Sequence, residues 1–258
     1  MEYDTIDLRE ADGIAVLTLN RPDVLNALST QMRAEIRHAV RDVEDRARVL
    51  VMTGAGRAFC SGQDLGDSRS VAEVNLERTL RDEYEPMLKA IYDCAVPTIA
   101  AVNGAAAGAG ANLALACDVV IAAESAVFVQ AFTRIGLIPD AGGTYWLPRQ
   151  VGMAKAMGAA LFAEPIGARQ ASDWGMIWEA VPDEAFAARW MDRARHLATG
   201  PGVAYRNAKR AIRESYGNGL DAQLALEARL QGDAGRSRDF REGVLAFLEK
   251  RPARFEGR

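Results

Sequence analysis

The chain has 258 residues, 49% of them hydrophobic and 26% charged, which excludes a disordered protein and leaves room for a substantial core in one large domain or two small ones. No apolar run approaches the roughly 18 residues that a membrane-spanning helix needs. A net charge of −4 sets nucleic acid aside as the main partner, while local basic groups could still serve a ligand that carries phosphates.

In chain order, Thr5 to Glu10 and Ile14 to Asn20 read as two strands with Ala11-Asp12-Gly13 as the hairpin turn. Arg21-Pro22 ends the second strand. Ser29 or Thr30 then caps a helix whose Met32, Ile36, Val40 and Val43 fall at helical spacing. Val49 to Thr53 is a buried strand, followed by a loop, Gly54 to Leu65, rich in small residues. Its Phe59, Cys60 and Leu65 point to partial burial, and its place at a strand's C-terminal end suits a ligand crevice. Val71 to Tyr92 forms an amphipathic helix that Pro86 kinks or divides. Ile99 to Val102 is a strand buried on both faces, Ala109 to Ala116 a short apolar helix, and Val119 to Ala122 and Ala126 to Val129 are short strands. These repeated β-β-α units predict a spiral of strands in stacked sheets walled by helices. Beyond Gly143 the pattern turns helical, interrupted by a short strand at Ile177 to Val181. A core of residues 1–199 is expected to carry a helical module over 200–258, too small to hold much of a core alone.

Two stretches carry the chemistry. The block Asn103 to Ala116 is almost wholly Gly, Ala and Asn where a strand gives way to a helix. It reads either as an exposed set of backbone N–H donors for an oxyanion or as tight helix packing through small residues. In Ile135 to Thr144, Asp140 stands between Pro139 and a Gly-Gly pair in apolar company. Burial would raise its pKa and fit it to carry protons; the alternative makes it a helix N-cap. Other catalytic classes lack their residues. Cys60, Cys94 and Cys117 have no CxxC spacing and read as reduced thiols. His38 and His196 lie in Arg- and Glu-rich helical patterns, so neither a His-assisted nucleophile nor a metal site is supported. With no charged-then-apolar segment at Met1 to Thr5, a cytoplasmic location is expected.

Taken together, Asn20-Arg-Pro22 with Asn26-Ala-Leu28, Gly62-Gln-Asp-Leu65, Ala101-Val-Asn-Gly104 with Gly108-Ala-Gly110 and Ala116-Cys-Asp118, and Ile138 to Thr144 resemble the enoyl-CoA hydratase/isomerase, or crotonase, superfamily across the whole chain. The resemblance implies an α/β fold: a crotonase-like ββα spiral core with a helical C-terminal trimerisation region, in trimers that pair into hexamers. It implies an acyl-CoA thioester as ligand and no separate cofactor, CoA being part of the substrate. Backbone N–H groups of Gln63 and Ala109 become the oxyanion donors. Arg21, Asn26, Ala27, Ser61, Asp64, Leu65, Gly110, Asn112 and Phe132 become substrate or CoA contacts. Lys209 or Lys250 becomes a phosphate contact across subunits.

Departures from the pattern narrow the chemistry. Hydratases of the family hold water between two glutamates, and those places fall here on Asn112 and Phe132, neither a general base. Asp140 stands where hydratases usually carry Gly and some isomerases carry an acid. Phe59-Cys60, Phe128-Val129, Gly136 to Asp140, Trp174 to Trp178 and Arg241 to Leu248 resemble the branch that isomerises ring-epoxide thioesters, with a double-bond shift as a related activity. The expected mechanism is therefore a proton shuttle on Asp140, with Phe128, Phe132, Ile138 and Trp146 forming either an apolar pocket wall or plain core. Rivals are a hydratase of atypical mechanism, dehalogenase-like chemistry, for which the Trp at position 132 and an auxiliary His are missing, and an inactive acyl-CoA-binding partner subunit.

Overall fold

The computed structural model describes residues 2–66 and 75–257. Its first two strands, β1 (Ile6–Ala11) and β2 (Ile14–Leu19), form an antiparallel hairpin. Asp12 and Gly13 turn it with φ of 52° and 77°, the pair of positive values that a two-residue turn between twisted strands demands. Helix α1 (Thr30–Val43) follows, with the Ser29 hydroxyl accepting a hydrogen bond from the Met32 N–H.

From there the chain winds as a spiral. Strand β3 (Val49–Gly54) is followed by β4 (Ala58–Cys60), β5 (Thr98–Val102) by β6 (Ala105–Ala107), and β7 (Val119–Ala123) by β8 (Val127–Val129). The first member of each pair joins one sheet and the second joins another. Completed by β9 (Ile166–Gly167) and β10 (Glu179–Val181), the larger sheet runs β1-β2-β3-β5-β7-β10 and the smaller β4-β6-β8-β9. Beyond the hairpin the larger sheet is parallel. Val49 to Met52 and Thr98 to Val102 are buried at every position, as strands covered on both faces must be. One cover is α1 with the region between the sheets; the other is α7 (Asp183–Ala198), whose Phe186, Ala194 and Ala198 pack on Val49, Val51, Ile99 and Ile121.

The helix foreseen before Tyr92 is divided, as Pro86 requires. Its first residues, 71–74, lie outside the described residues. Helix α2 (Leu76–Thr79) passes through a π-helical turn at Leu80–Tyr84 into α3 (Glu85–Asp93). Proline supplies no N–H and its ring crowds the carbonyl one turn back, so the backbone widens instead of continuing as an α-helix. Helix α4 (Ala109–Leu115) fills the centre. Helix α5 (Gly143–Phe162) breaks at Gly152, where φ 76° and ψ 167° are not helical, and the sequence pattern likewise reads as separate helices over Thr144 to Val151 and Ala154 to Phe162. Helices α6 (Ala168–Asp173), α8 (Gly202–Glu214), α9 (Leu220–Gly235) and α10 (Arg238–Glu249) complete the chain. Strands β4, β6 and β9 were not foreseen: β6 is all alanine, and the other two are only two or three residues long, too short to show a strand period. Among the described residues no helix is long and apolar enough to cross a membrane.

Candidate active site

The loop after β4 and the start of α4 lie against each other, and glycines permit it. A Cβ on Gly62, at φ 96°, would stand 2.8 Å from the Ala107 carbonyl oxygen and 3.4 Å from the Ala109 nitrogen. A Cβ on Gly110 would press to 2.8 Å on the Cys60 carbonyl carbon. Any side chain at either place would drive the segments apart. Ala109 is the first residue of α4, where N–H groups lack an intrahelical acceptor. Gln63 is orphaned differently. It bridges Leu28 in parallel register: the Leu28 N–H donates to the Gly62 carbonyl at 2.8 Å and the Asp64 N–H to the Leu28 carbonyl at 3.2 Å. Those two bonds flank Gln63 and turn its own N–H away from Leu28. Among the described residues neither N–H has a hydrogen-bond acceptor.

Asp140 sits in a tight turn ahead of α5. Its carbonyl accepts the Gly143 N–H at 2.8 Å, and the next two residues take left-handed φ values, 48° at Ala141 and 81° at Gly142. An alanine there is strained, a feature that recurs at functional sites. The N-cap of α5 is Gly142, with no side-chain cap, so the capping alternative for Asp140 is overturned. Its carboxyl instead borders a cavity of about 740 Å³ lined by Leu80, Tyr84, Leu88, Tyr92, Ile138 and Trp146 among others. Burial pushes the carboxyl up to about 6, opposed only by a backbone N–H. Its Oδ1 is buried with no hydrogen-bond partner among the described residues.

The remaining candidates divide into braces and bystanders. Asn112 is wholly buried in α4 and does not reach the cavity. Its Nδ2 donates to the Asp140 carbonyl at 2.8 Å, and its Oδ1 accepts from Gln130 Nε2 at 2.8 Å. Within the chain it braces the Asp140 turn. Asn26 is a brace as well: fully buried, it accepts the Arg21 N–H and donates from Nδ2 to the Ala55, Ala58 and Phe59 carbonyls. Arg21 donates to the Ala27 carbonyl and pairs with Asp64, both at 2.7 Å, which gathers Arg21, Asn26, Ala27 and Asp64 into one loop. The Ser61 hydroxyl donates to the Val24 carbonyl at 3.3 Å, and Gly110 is buried under Cys60. Leu65 is 70% exposed, against the expectation that it turns inward. Phe132 is buried, with its ring 3.6 Å from where a Cβ on Gly108 would lie; Phe128 belongs to the core. Of the expected wall only Ile138 and Trp146 line the cavity, joined by Tyr92 and Tyr145 in edge-to-face and tilted contacts. Lys209 pairs with Asp118 at 2.8 Å and donates to the Cys94 and Val96 carbonyls. Lys250 is the exposed left-handed cap of α10. Burial pushes the Cys60 thiol up to about 12, which leaves it inert.

The ββα spiral thus leaves the Gln63 and Ala109 N–H groups without acceptors among the described residues and sets a half-buried carboxyl at an apolar cavity. The chain belongs to the enoyl-CoA hydratase/isomerase family, which it matches over residues 9–258. It is 63% identical over 258 residues to a Rhodobacter capsulatus protein named "probable enoyl-CoA hydratase", covering 100% of both chains. It is 49% identical to the 1,2-epoxyphenylacetyl-CoA isomerase of Escherichia coli, covering 95% of this chain and 96% of that one. Among solved structures, an enoyl-CoA hydratase from Bacillus anthracis superposes with a TM-score of 0.91 at 32% identity, covering 99% of this chain and 100% of that one.

Proposed function

We propose that the protein is an acyl-CoA isomerase that moves a proton through a thioester enolate, acting as a 2-(1,2-epoxy-1,2-dihydrophenyl)acetyl-CoA isomerase with a 3,4-to-2,3 double-bond shift as a second activity. The observation that carries the reading is Asp140: a half-buried carboxyl at the cavity, raised to about 6, whose buried Oδ1 has no partner among the described residues. At neutral pH it is an ionised base whose conjugate acid is strong enough to give the proton back. In the double-bond shift it takes the proton from the carbon beside the thioester carbonyl. The negative charge moves to the carbonyl oxygen, held by the N–H groups of Gln63 and Ala109. The proton returns two carbons further out as the double bond moves. Two preorganised donors of that kind are worth several kcal/mol. Water addition would need a second acid/base group, and Asn112, standing where family hydratases carry a glutamate, is committed to the Asp140 carbonyl. The aromatic cavity wall of Tyr92, Tyr145 and Trp146 favours a ring-bearing acyl group. Apolar side chains exposed on α5 and α10, among them Met153, Met157, Phe162, Phe247 and Leu248, favour the family's trimer or pair of trimers.

A hydratase reading is favoured by the name given to the Rhodobacter relative. One experiment separates the two. Wild type and Asp140→Asn are assayed for isomerisation of a 3-enoyl-CoA and of the epoxyphenylacetyl thioester, and for hydration of crotonyl-CoA. Isomerisation by wild type with little hydration, and a loss of about 10²- to 10⁴-fold in the variant, supports the shuttle. Hydration outrunning isomerisation, or an Asn variant at full rate, overturns it.

A further inference from the structure

We propose that Arg33 and Tyr84 are positioning residues that clamp Gln63 and thereby aim its backbone N–H at the substrate oxyanion. The inference deepens the reading above and rests on it. Arg33, in α1, is 2% exposed, and its guanidinium is surrounded by acceptors. Nη1 donates to the Leu28 carbonyl at 2.5 Å and to Gln63 Oε1 at 3.2 Å. Nη2 donates to the Thr30 hydroxyl at 3.0 Å and to the Glu83 carboxylate, which also takes Nε. Tyr84 donates its hydroxyl proton to the same Gln63 oxygen, and its ring lies 4.7 Å from the guanidinium carbon.

The consequence is a grip on both rails of one small ladder. Leu28 and Gln63 face each other, and a single cation holds the carbonyl of one and the side chain of the other. Arginine has no acceptor, so the amide oxygen must be the end that faces it, and Gln63 is fixed in one orientation. With the side chain fixed and the flanking peptides bonded to Leu28, the Gln63 N–H has no rotational freedom left. That is what a preorganised oxyanion donor requires, because a donor that must reorient during the reaction loses most of its effect. A packing role alone explains less. Leucine or methionine would fill the space of Gln63 without demanding a buried cation, its counterion and a phenol.

The other end of the clamp is the cavity wall. Tyr84 lines the cavity that Asp140 borders, and Glu83 and Tyr84 close the π-helical turn forced by Pro86. In that turn two consecutive side chains reach one guanidinium, Glu83 by charge and Tyr84 by its ring and hydroxyl. Burial pushes the Tyr84 phenol up, which keeps it a donor at every pH the enzyme meets. Occupancy of the cavity is thus linked, through one side chain, to the aim of the oxyanion donor.

The test reads polarisation of the bound carbonyl, which a general loss of structure does not mimic. Phenylacetyl-CoA carrying ¹³C at the thioester carbonyl is bound to wild type, Tyr84→Phe and Gln63→Met, and its C=O stretch is compared with that in water. The proposal expects a downward shift in wild type, a clearly smaller one in both variants, and a kcat for 3-enoyl-CoA isomerisation reduced about 10- to 100-fold, with KM changed less than about twofold. Tyr84→Phe removes one oxygen and keeps the ring, so it tests the clamp even if Gln63→Met folds poorly. A full wild-type shift in both variants overturns the clamp and leaves the oxyanion hole standing. No shift in wild type overturns the oxyanion reading, and the clamp with it.

Discussion

Asp140 is where function and stability pull in opposite directions. Its carboxyl titrates at about 6 in the folded chain against 3.8 for a free one, because burial disfavours the charged form. The folded state therefore binds this proton more tightly than the unfolded state does. The stabilisation this gives is fully present below 3.8 and is lost as pH rises through 6. Above that, ionised Asp140 costs the fold about 2 kcal/mol, after allowing for its partial exposure. Asp140→Asn is accordingly expected to be more stable than wild type at pH 8 by about that amount, with the advantage shrinking toward zero near pH 4. Urea unfolding at the two pH values measures it, and an advantage independent of pH would count against the burial argument. The same ionisation governs the reaction: kcat/KM for isomerisation should rise with pH through about 6 and then level off, and an acid limb elsewhere would assign the base to another group.

At the level of elements, the site is held by buried amides that join segments distant in sequence. Gln130, after β8, supports Asn112 in α4, which supports the carbonyl of Asp140 ahead of α5. Asn112→Ala would leave the Gln130 amide N–H and one lone pair of the Asp140 carbonyl unpaired, next to a Gln130 Oε1 that has no partner among the described residues. A loss of about 2–3 kcal/mol in unfolding free energy is expected, together with a lower kcat as the turn loosens. A variant as stable as wild type in denaturant would show that water replaces the amide without cost. This layer explains what was legible in the sequence. Ile99 to Val102, the Gly-rich block and Asp140 announce themselves locally, by unbroken apolar runs, missing side chains and a charge in apolar company. The Asn112 departure was legible too, but only as a lost glutamate; its use as a brace depends on a partner 28 residues away. Arg33 and Glu83 gave no signal, and Tyr84 showed only as one residue on the apolar face of the helix that ends at Tyr92. On α1 an arginine at a helical interval looks solvated, and nothing local marks a contact across 50 residues. The aromatics stayed open between pocket wall and core for a related reason: Phe128, Phe132, Tyr92 and Tyr145 are all aromatic, and which of them face the cavity is decided by packing.

Across the whole molecule, helix α8 is tied to the larger sheet through the carboxylate of Asp118. Asp118, just before β7, accepts the Thr98 N–H at 2.8 Å and pairs with Lys209 at 2.8 Å and Arg213 at 2.6 Å, both from α8. Only 10% of the Lys209 side chain and 17% of the Arg213 side chain is exposed, so neither cation can turn to solvent for compensation. The contrast is a surface pair such as Arg78 and Asp82, largely exposed and worth a few tenths of a kcal/mol. Asp118→Asn keeps the shape and the bond to Thr98 while leaving two buried cations without their counterion, and should cost about 3–5 kcal/mol of unfolding free energy. For a chain of this size that corresponds to a melting midpoint lower by roughly 6–15 °C. The effect should reach the substrate as well. Arg213 stacks on Tyr92 at 3.9 Å, and Tyr92 lines the cavity beside Asp140, so loosening α8 removes the backing of the aromatic wall. The KM for an aromatic acyl thioester is therefore expected to rise more than the KM for a short linear one. Calorimetry and paired kinetics on the one variant test both halves. An unchanged midpoint would show the carboxylate to be dispensable, and an equal rise in the two KM values would show that the wall does not depend on the helix behind it.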